Sequence, residues 1–501
     1  MTRASIAHVA VLPDLDFDRC FIDRFDVASI MEDRVELLHH AETVDWATSW
    51  HEDLSTPLWR FNLHYCEYLL PLAKASLETG EGRFAEKGKR IIESWITHCP
   101  KERGGAAWSP YVIALRAVNW LAFYGEVPEV FRNDRDFAGR FNESLAEQFE
   151  YLCAHLETDL LANHYFEDLK SIVLLAYYFD DQETLDVALE RFFEQVREQI
   201  LPDGMHFELS PMYHKIILEG ILRVGATLAQ DPTRADLTQM LPIQAMCDCL
   251  YSLERGLSRT PLFNDAGDNV SKGRDALLGC AKKAFGVQPT FKSVLPDAGY
   301  AILERESDAG SVKLIFDAGR PGPSYALGHA HCDALSFECF INGEPWIVNG
   351  GTNYYQGTDR LAYKRTLAHS TVMVNRAEQH ECWASFRVAR CGEGKLGPGG
   401  PDCVSGSFFA SDGCLAVSRT ITLGGKGLVV CDQASEACNL TSSFVFSAEW
   451  PQLSSDCSGA LYSPEFGMSR PAEKALFSDE GGLLQTELPY PMAQRTTCKE
   501  R

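Results

Sequence analysis

A change of hydrophobic period near Pro289 constrains the fold of this chain more than any other feature. Upstream of it, apolar residues recur at helical spacing. In Asn62–Glu78, Leu63, Cys66, Leu70 and Ala73 share one helical face, and Gly80 and Gly82 follow as stop signals. The same pattern predicts helices over Phe84–Thr97, Val112–Tyr124, Phe141–Leu156, Phe166–Phe179, Leu185–Leu201 and Tyr213–Leu228, with an Asp203-Gly204 turn before the last. Successive helices with short loops and no intervening strands imply a helical array or toroid over residues 1–285. Downstream, short β-rich runs take over: Tyr300–Glu304, Val312–Asp317, Ser336–Ile341, Pro345–Val348, Ser370–Val374, Leu415–Leu423, Leu428–Cys431 and Ser443–Phe446. Asn342-Gly343 between two of these runs is a hairpin signal, and Gly and Pro cluster over Gly394–Pro401. This pattern predicts an antiparallel β-sandwich over residues 286–501, giving an α+β multidomain chain.

Charge and composition exclude whole classes of function. Forty-six basic residues against 70 acidic ones give a formal charge of −24, which argues against nucleic-acid binding through a general basic surface. An anionic substrate would need a locally basic cleft. The longest apolar runs, such as Ile172–Tyr178, fall far short of the roughly 20 residues of a membrane helix, so membrane insertion is not expected. Seventeen cysteines, an odd number with no C-x-x-C pair, read as mostly reduced thiols in a reducing compartment. The N-terminal MTRASIAHVAVLPDLDFDRC has no secretory apolar region, so a cytoplasmic location is expected, or a periplasmic one if a leader has been trimmed. No motif sets an oligomeric state.

Four patches concentrate groups capable of chemistry. In Ala162-Asn163-His164-Tyr165-Phe166, Asn163 is suited to cap the following helix; alternatively, its amide and the His164 imidazole are donors to a carboxylate at a helix N-terminus. Residues 203–214, DGMHFELSPMYH, gather His206, Glu208, Tyr213 and His214 around a Ser-Pro turn. Residues 328–338, GHAHCDALSFE, carry His329 and His331, which on a strand would share a face. Cys332 would then face the other way, as packing. The stretch Arg360–Thr371, with Tyr363, Lys364, Arg365 and His369, is locally basic and reads as a patch for a polyanion. Trp59, Trp108, Tyr111 and Trp120 run through the helical half; such rings stack on sugars or build helix cores, and Trp120 is assigned to the core.

Taken in order, Asn163-His164, DGMHFELSPMYH, GHAHCDALSFE and AHSTV resemble the heparinase II/III-like polysaccharide lyases, a group that includes alginate and oligoalginate lyases of similar build. LWRFNLHY (58–65) and WSPYVIALRAVNW (108–120) extend the resemblance, which spans Leu58 to Arg387. It implies an incomplete (α/α) toroid followed by a β-sandwich. The implied reaction is β-elimination at a uronic acid of an anionic polysaccharide or oligosaccharide, with no cofactor required for the chemistry. The substrate carboxylate is neutralised, the C5 proton is removed and the O4 leaving group is protonated. By this resemblance Asn163 and His164 neutralise the carboxylate, Tyr213 is the general acid, and Tyr213 or His329 is the base. Substrate contacts are expected from His206, Glu208, Trp108, Tyr111, Arg116 and Arg365. Some members hold a structural zinc with two His and one Asp; the matching positions are His331, Asn349 and His369, and the neutral Asn349 leaves the zinc open.

Three other readings compete. A uronyl C5-epimerase shares the chemistry up to the carbanion. A non-catalytic glycan-binding or exopolysaccharide-assembly protein would keep the surface without the reaction. A metalloenzyme built on His329 and His331 lacks a third strong ligand.

Overall fold

The structure, a computed structural model, describes residues 12–20, 24–355, 358–448 and 457–491. The chain forms two compact units that interleave in sequence, in place of the single boundary expected at 285/286. One holds the residues through Ile200 together with Lys215–Gln244 and Ser271–Gln288. The other holds Leu201–His214, Ala245–Val270 and the chain from Pro289 onward.

The first unit is helical. Its main helices are Pro57–Tyr65, Leu69–Thr79, Gly82–His98, Pro110–Glu126, Arg135–Ala154, Ala162–Tyr178 and Gln182–Gln199, followed by most of Pro211–Gln230 and then Arg274–Phe285. Local chemistry sets several starts: Thr56, Asp134 and Asp181 each cap a helix by accepting a backbone N–H. The single helix expected over Asn62–Glu78 is two. Cys66 takes a left-handed conformation (φ 57°) and ends the first, and Pro71 lies in the first turn of the second, where its missing N–H costs nothing. A short hairpin, Arg34–Leu37 with His40–Thr43, also interrupts the all-helical expectation; strands this short carry little periodic signal. Trp120 is fully buried, edge-on to Trp95 (5.3 Å) and stacked on Phe141 (5.6 Å), as a core residue should be.

The second unit is an antiparallel sandwich. One sheet runs, in spatial order, Ser458–Glu465, Met468–Asp479, Leu440–Ser447, Glu344–Val348, Phe337–Ile341, Gly310–Asp317, Tyr300–Ser307 and Val294–Leu295, and Val372–Val374 also pairs with Leu440–Ser447. The facing sheet runs Glu393–Leu396, Cys403–Phe409, Leu415–Leu423, Gly427–Ala434 and Leu483–Pro489. Phe316, Phe337, Trp346 and Phe444 of the first sheet pack against Val417, Ile421 and Val430 of the second. At Asn342-Gly343 both residues have positive φ (54° and 86°), as a type I′ hairpin requires.

The other face of the large sheet is also covered. Met205, Leu209, Cys249, Leu253 and Phe263, from the two interleaved segments, pack on Tyr300, Ile302, Ile315 and Phe340. The run Leu314–Phe316 is therefore buried on both faces, which explains its unbroken apolar character. Within the sandwich Arg419 forms a buried pair with Asp432 (2.7 and 2.9 Å) and donates to the carbonyls of Leu335 (3.1 Å) and Ser370 (3.0 Å). It thereby ties the loop beyond His331 to the facing sheet.

Candidate active site

Tyr213, His329 and His331 meet in the sandwich unit around a carboxylate that the motif reading passed over, Asp265. Each is held by local backbone chemistry. Ser210 caps the helix beginning at Pro211 by accepting from Tyr213 N (3.3 Å), and its hydroxyl donates to the Asp265 carbonyl (2.6 Å). Ser then Pro at the start of a helix is the favoured order of cap and first helical residue. Leu209, just before, has a φ of 57°; its carbonyl accepts from Tyr300 Oη (2.7 Å) and Asn264 Nδ2 (3.2 Å), which hold that unfavourable backbone in place.

The GHAHCD segment is a loop, not the expected strand. His331 N donates to Asn264 Oδ1 (3.0 Å), Asn264 N to Asp333 Oδ2 (2.8 Å), and Asp265 N to the His329 carbonyl (3.1 Å). The two segments are laced together, and both imidazoles reach Asp265 through the loop's path rather than through strand alternation.

Asp265 is fully buried. His329 Nδ1 lies 2.8 Å from its Oδ2 and His331 Nε2 lies 2.8 Å from its Oδ1. Thr352 Oγ1 donates to Oδ1 (3.0 Å), and the buried Arg360 guanidinium grips both oxygens. Burial opposes ionisation of Asp265, but Arg360 and the imidazole hydrogen bonds outweigh it and hold the carboxyl well below the usual carboxylate range. Burial pushes His331 down to about 4, so it is a neutral imidazole donating from Nε2. A carboxylate on Nδ1 fixes the His329 tautomer with its proton on that nitrogen, leaving Nε2 as a lone-pair acceptor. The Tyr213 and His329 ring centroids are 4.3 Å apart, and the Tyr213 hydroxyl lies 2.6 Å from that of Tyr355. His206 is buried and pushed to about 4, again by burial; its backbone N–H donates to His214 Nδ1 (3.3 Å). Glu208 is also buried.

The basic stretch 360–371 is not a surface patch. Arg360 and Lys364 lie on one face of the helix Thr358–Lys364 and turn inward: Arg360 to Asp265, Lys364 Nζ to the Gly328 carbonyl (2.9 Å). His369 is buried, and of the four basic groups only Arg365 is exposed. The i, i+4 spacing of Arg360 and Lys364 was the available signal that they share a face.

The remaining expected residues lie in the helical unit. Asn163 is buried in the second position of Ala162–Tyr178; the capping position is Leu161, so Asn163 does not cap that helix. His164 packs at a tilt against Tyr111 (ring centroids 4.4 Å, 37° between planes) and pairs through Nδ1 with Glu157 Oε2 (3.0 Å). Two expected substrate contacts are internal instead. Arg116 is fully enclosed, donating to Gln148 Oε1 (2.8 Å) and lying over the Trp95 ring (3.9 Å), with burial lowering its pKa to about 10. Trp108 is buried with Nε1 on the Cys99 carbonyl (2.9 Å). Arg116 lies on the core side of the helix Pro110–Glu126 and Trp108 in the buried turn just before it, which the mostly apolar WSPYVIALRAVNW run disguised.

The donor set at the implied zinc position fits the ion poorly. Asn349 Oδ1 accepts from Ser370 N (3.1 Å), and its Nδ2 donates to Ser336 Oγ (3.3 Å). His331 Nε2 is committed to Asp265, leaving His331 Nδ1 and the His369 nitrogens, which are buried without a well-formed hydrogen bond. Two neutral imidazoles beside an engaged neutral amide offer no anionic ligand. Among the described residues no group of three His, Cys, Asp or Glu is arranged to hold a metal.

Residues 24–290 match the family model described as Heparinase II/III N-terminus, and residues 288–473 match Heparinase II/III-like, C-terminal. A heparin-sulfate lyase of Pedobacter heparinus is 21% identical over 369 residues, covering 65% of this chain and 54% of that protein. One from Bacteroides thetaiotaomicron is 21% identical over 419 residues, covering 72% and 58%. This chain thus spans little more than half the length of these curated relatives. A crystal structure of heparinase III aligns with a TM-score of 0.69 at 16% identity, over 90% of this chain and 80% of that one, a likeness of fold: helical toroid and antiparallel sandwich. With one family model covering more than half of the chain and the other most of the rest, the chain belongs to the heparinase II/III-like family.

Proposed function

We propose that this chain is a polysaccharide lyase that cleaves a uronic-acid-containing, anionic glycan by β-elimination. The observation that carries the reading is the Tyr213–His329 pair, with His329 oriented by a buried carboxylate. The proton at C5 is weakly acidic, and the leaving O4 departs as an alkoxide unless protonated. The reaction therefore needs one group that accepts a proton and one that gives it, within reach of one sugar. His329 Nε2, with Nδ1 held by Asp265, is an acceptor. The Tyr213 hydroxyl is the donor, and it also serves as base where the C5 configuration presents the proton to it. Carboxylate neutralisation is assigned to Asn163 and His164 on the family resemblance. The relatives that bear the name heparin-sulfate lyase support a glycosaminoglycan as the first substrate to try.

An epimerase that works from two faces needs acid–base groups on opposite sides of the sugar. Ring centroids 4.3 Å apart leave no room for a pyranose between them, which favours elimination. The test is a panel of heparan sulfate, heparin, chondroitin, hyaluronan and alginate oligosaccharides, followed by ultraviolet absorbance of the new conjugated double bond. The lyase reading expects a signal with one class and its loss in Tyr213→Phe. Deuterium exchange at C5 without absorbance would select the epimerase. Binding with neither signal would select a non-catalytic glycan-binding protein.

A further inference from the structure

Two large aromatic residues stand exposed on a hairpin that borders the candidate site. Glu381–Ala384 pairs antiparallel with Arg387–Ala389; Trp383 is 62% exposed and Phe386, at the turn, 45%. The Phe386 ring lies 6.4 Å from that of His329 and 5.8 Å from that of Tyr355. Exposed rings of this size cost free energy unless something covers them, and here one of the two, Phe386, adjoins the candidate pair.

The hairpin is held, not loose. The Ser385 carbonyl accepts from Arg360 Nε (3.4 Å) and Lys364 Nζ (3.4 Å), the same two cations that grip Asp265 and the Gly328 carbonyl. On the strand, Cys382 turns inward to within 3.8 Å of Cys332 Sγ, so alternation turns Trp383 outward. At Gly328, a Cβ would meet Phe386 at 3.5 Å, so the hairpin turn sits directly on the loop that carries His329. A rigid aromatic surface loses little conformational freedom when a ligand covers it. The apolar faces of pyranose rings suit such a surface, and stacking on them leaves the glycan's carboxylates to the polar groups of the site.

Resting on the lyase reading above, we propose that this hairpin is a sugar-stacking wall of the same site. Phe386 covers the sugar next to the one at Tyr213 and His329, and Trp383 covers a sugar farther along the chain. The wall thus reads glycan length and ring face, while the polar cluster carries out the chemistry.

The test uses the full chain as Tyr213→Phe, which keeps the glycan intact, with calorimetry on size-fractionated oligosaccharides of the class found in the panel. Adding Trp383→Ala is expected to weaken binding of long oligosaccharides roughly three- to tenfold while leaving the shortest binding oligosaccharide unchanged. Adding Phe386→Ala is expected to weaken all lengths, and Phe386→Trp to restore them. The Trp383 contribution to fluorescence, taken as the difference from Trp383→Phe, should become shielded from iodide when a long oligosaccharide binds. Unchanged affinities, or an indole quenched equally with and without glycan, would overturn the wall. Normal glycan affinity with lost self-association in sedimentation would also overturn it, making the hairpin a contact between copies. If no glycan in the panel binds or is cleaved, the lyase reading itself fails; if the wild type cleaves and the hairpin variants behave normally, only the wall fails.

Discussion

His329 Nδ1 lies 2.8 Å from Asp265 Oδ2, and the same carboxylate holds His331 and is gripped by Arg360. One buried anion therefore fixes the tautomer of the candidate base and is kept ionised by one buried cation. Asp265→Asn removes both effects. Turnover is expected to fall on the order of a hundredfold or more, because the amide no longer selects the Nδ1–H tautomer. The orphaned Arg360 should also cost about 3–5 kcal/mol of stability. Combining Asp265→Asn with Arg360→Gln should recover much of the stability, read by urea denaturation, but not the turnover. Recovery of both would show that Asp265 serves folding alone.

Much of this architecture was legible in the sequence. The helical period and the later β runs located most elements, and SPMYH and GHAH pointed at Tyr213 and His329. Asp265 was not legible: LFNDAGD shows no catalytic pattern, and its meaning comes from contacts with residues 55 to 95 positions away along the chain. Arg360 was lost for a different reason. Its stretch was read by charge, as a surface, when its helical spacing with Lys364 already allowed an inward face. Arg116 and Trp108 erred in the same direction. A polar or amphipathic side chain near a motif suggests exposure, whereas here a ring face and a buried amide receive the guanidinium inside the core.

The Asp203-Gly204 turn has a steric requirement that composition cannot show. Gly204 has φ +91°, and a Cβ there would overlap the Ala245 carbonyl. Gly204→Ala is expected to cost about 2–4 kcal/mol from backbone strain and overlap. Gly80→Ala, also at positive φ (+72°) but with open space around it, should cost about 1 kcal/mol. Chemical denaturation of the two variants compares them. Equal losses would mean that backbone conformation alone sets the cost.

Asn349 stands where a carboxylate would complete a two-histidine, one-acid zinc site. The purified chain is expected to carry far less than one equivalent of zinc by elemental analysis, with no change of melting temperature on chelation. Asn349→Asp supplies the missing anion beside His331 and His369, so this variant should retain zinc and gain a chelator-sensitive stabilisation. Stoichiometric zinc in the unmodified chain would show that the two imidazoles and the amide suffice.

Asp333 and Asp317 are buried carboxyls. Burial raises both above the ordinary carboxylate range, Asp333 to about 6, and the charge of Asp333 raises Asp317 further. The folded state thus holds these protons more tightly than the unfolded chain. The stabilisation is fully present below pH ~4 and is lost as pH rises through 6. Asp333→Asn keeps an acceptor for Asn264 N and removes the titration. The melting temperature of the unmodified chain minus that of the variant should therefore fall between pH 4 and 7. A pH-independent difference would mean that Asp333 ionises as freely folded as unfolded.

The Tyr355 hydroxyl, 2.6 Å from that of Tyr213, has a role that a phenyl ring can separate from packing. Burial raises Tyr355 well above the ordinary phenol range, so it keeps its proton through neutral pH and remains able to donate. In the proposed reaction Tyr213 gives its proton to the leaving oxygen and charge develops on the Tyr213 oxygen; a neighbouring hydroxyl able to donate would stabilise that charge without reorganisation. A hydrogen bond to a charged oxygen is worth about 1.5–3 kcal/mol, so Tyr355→Phe should lower kcat roughly ten- to a hundredfold. KM should change little, because the bond strengthens only as charge appears. Without that donor the Tyr213 hydroxyl also becomes a weaker acid, and the alkaline limb of the pH–rate profile should move upward. Packing of the Tyr355 ring against Phe386 and Phe466 survives the substitution. A purely structural Tyr355 would therefore leave kcat and the alkaline limb where they were, and that result would remove it from the reaction.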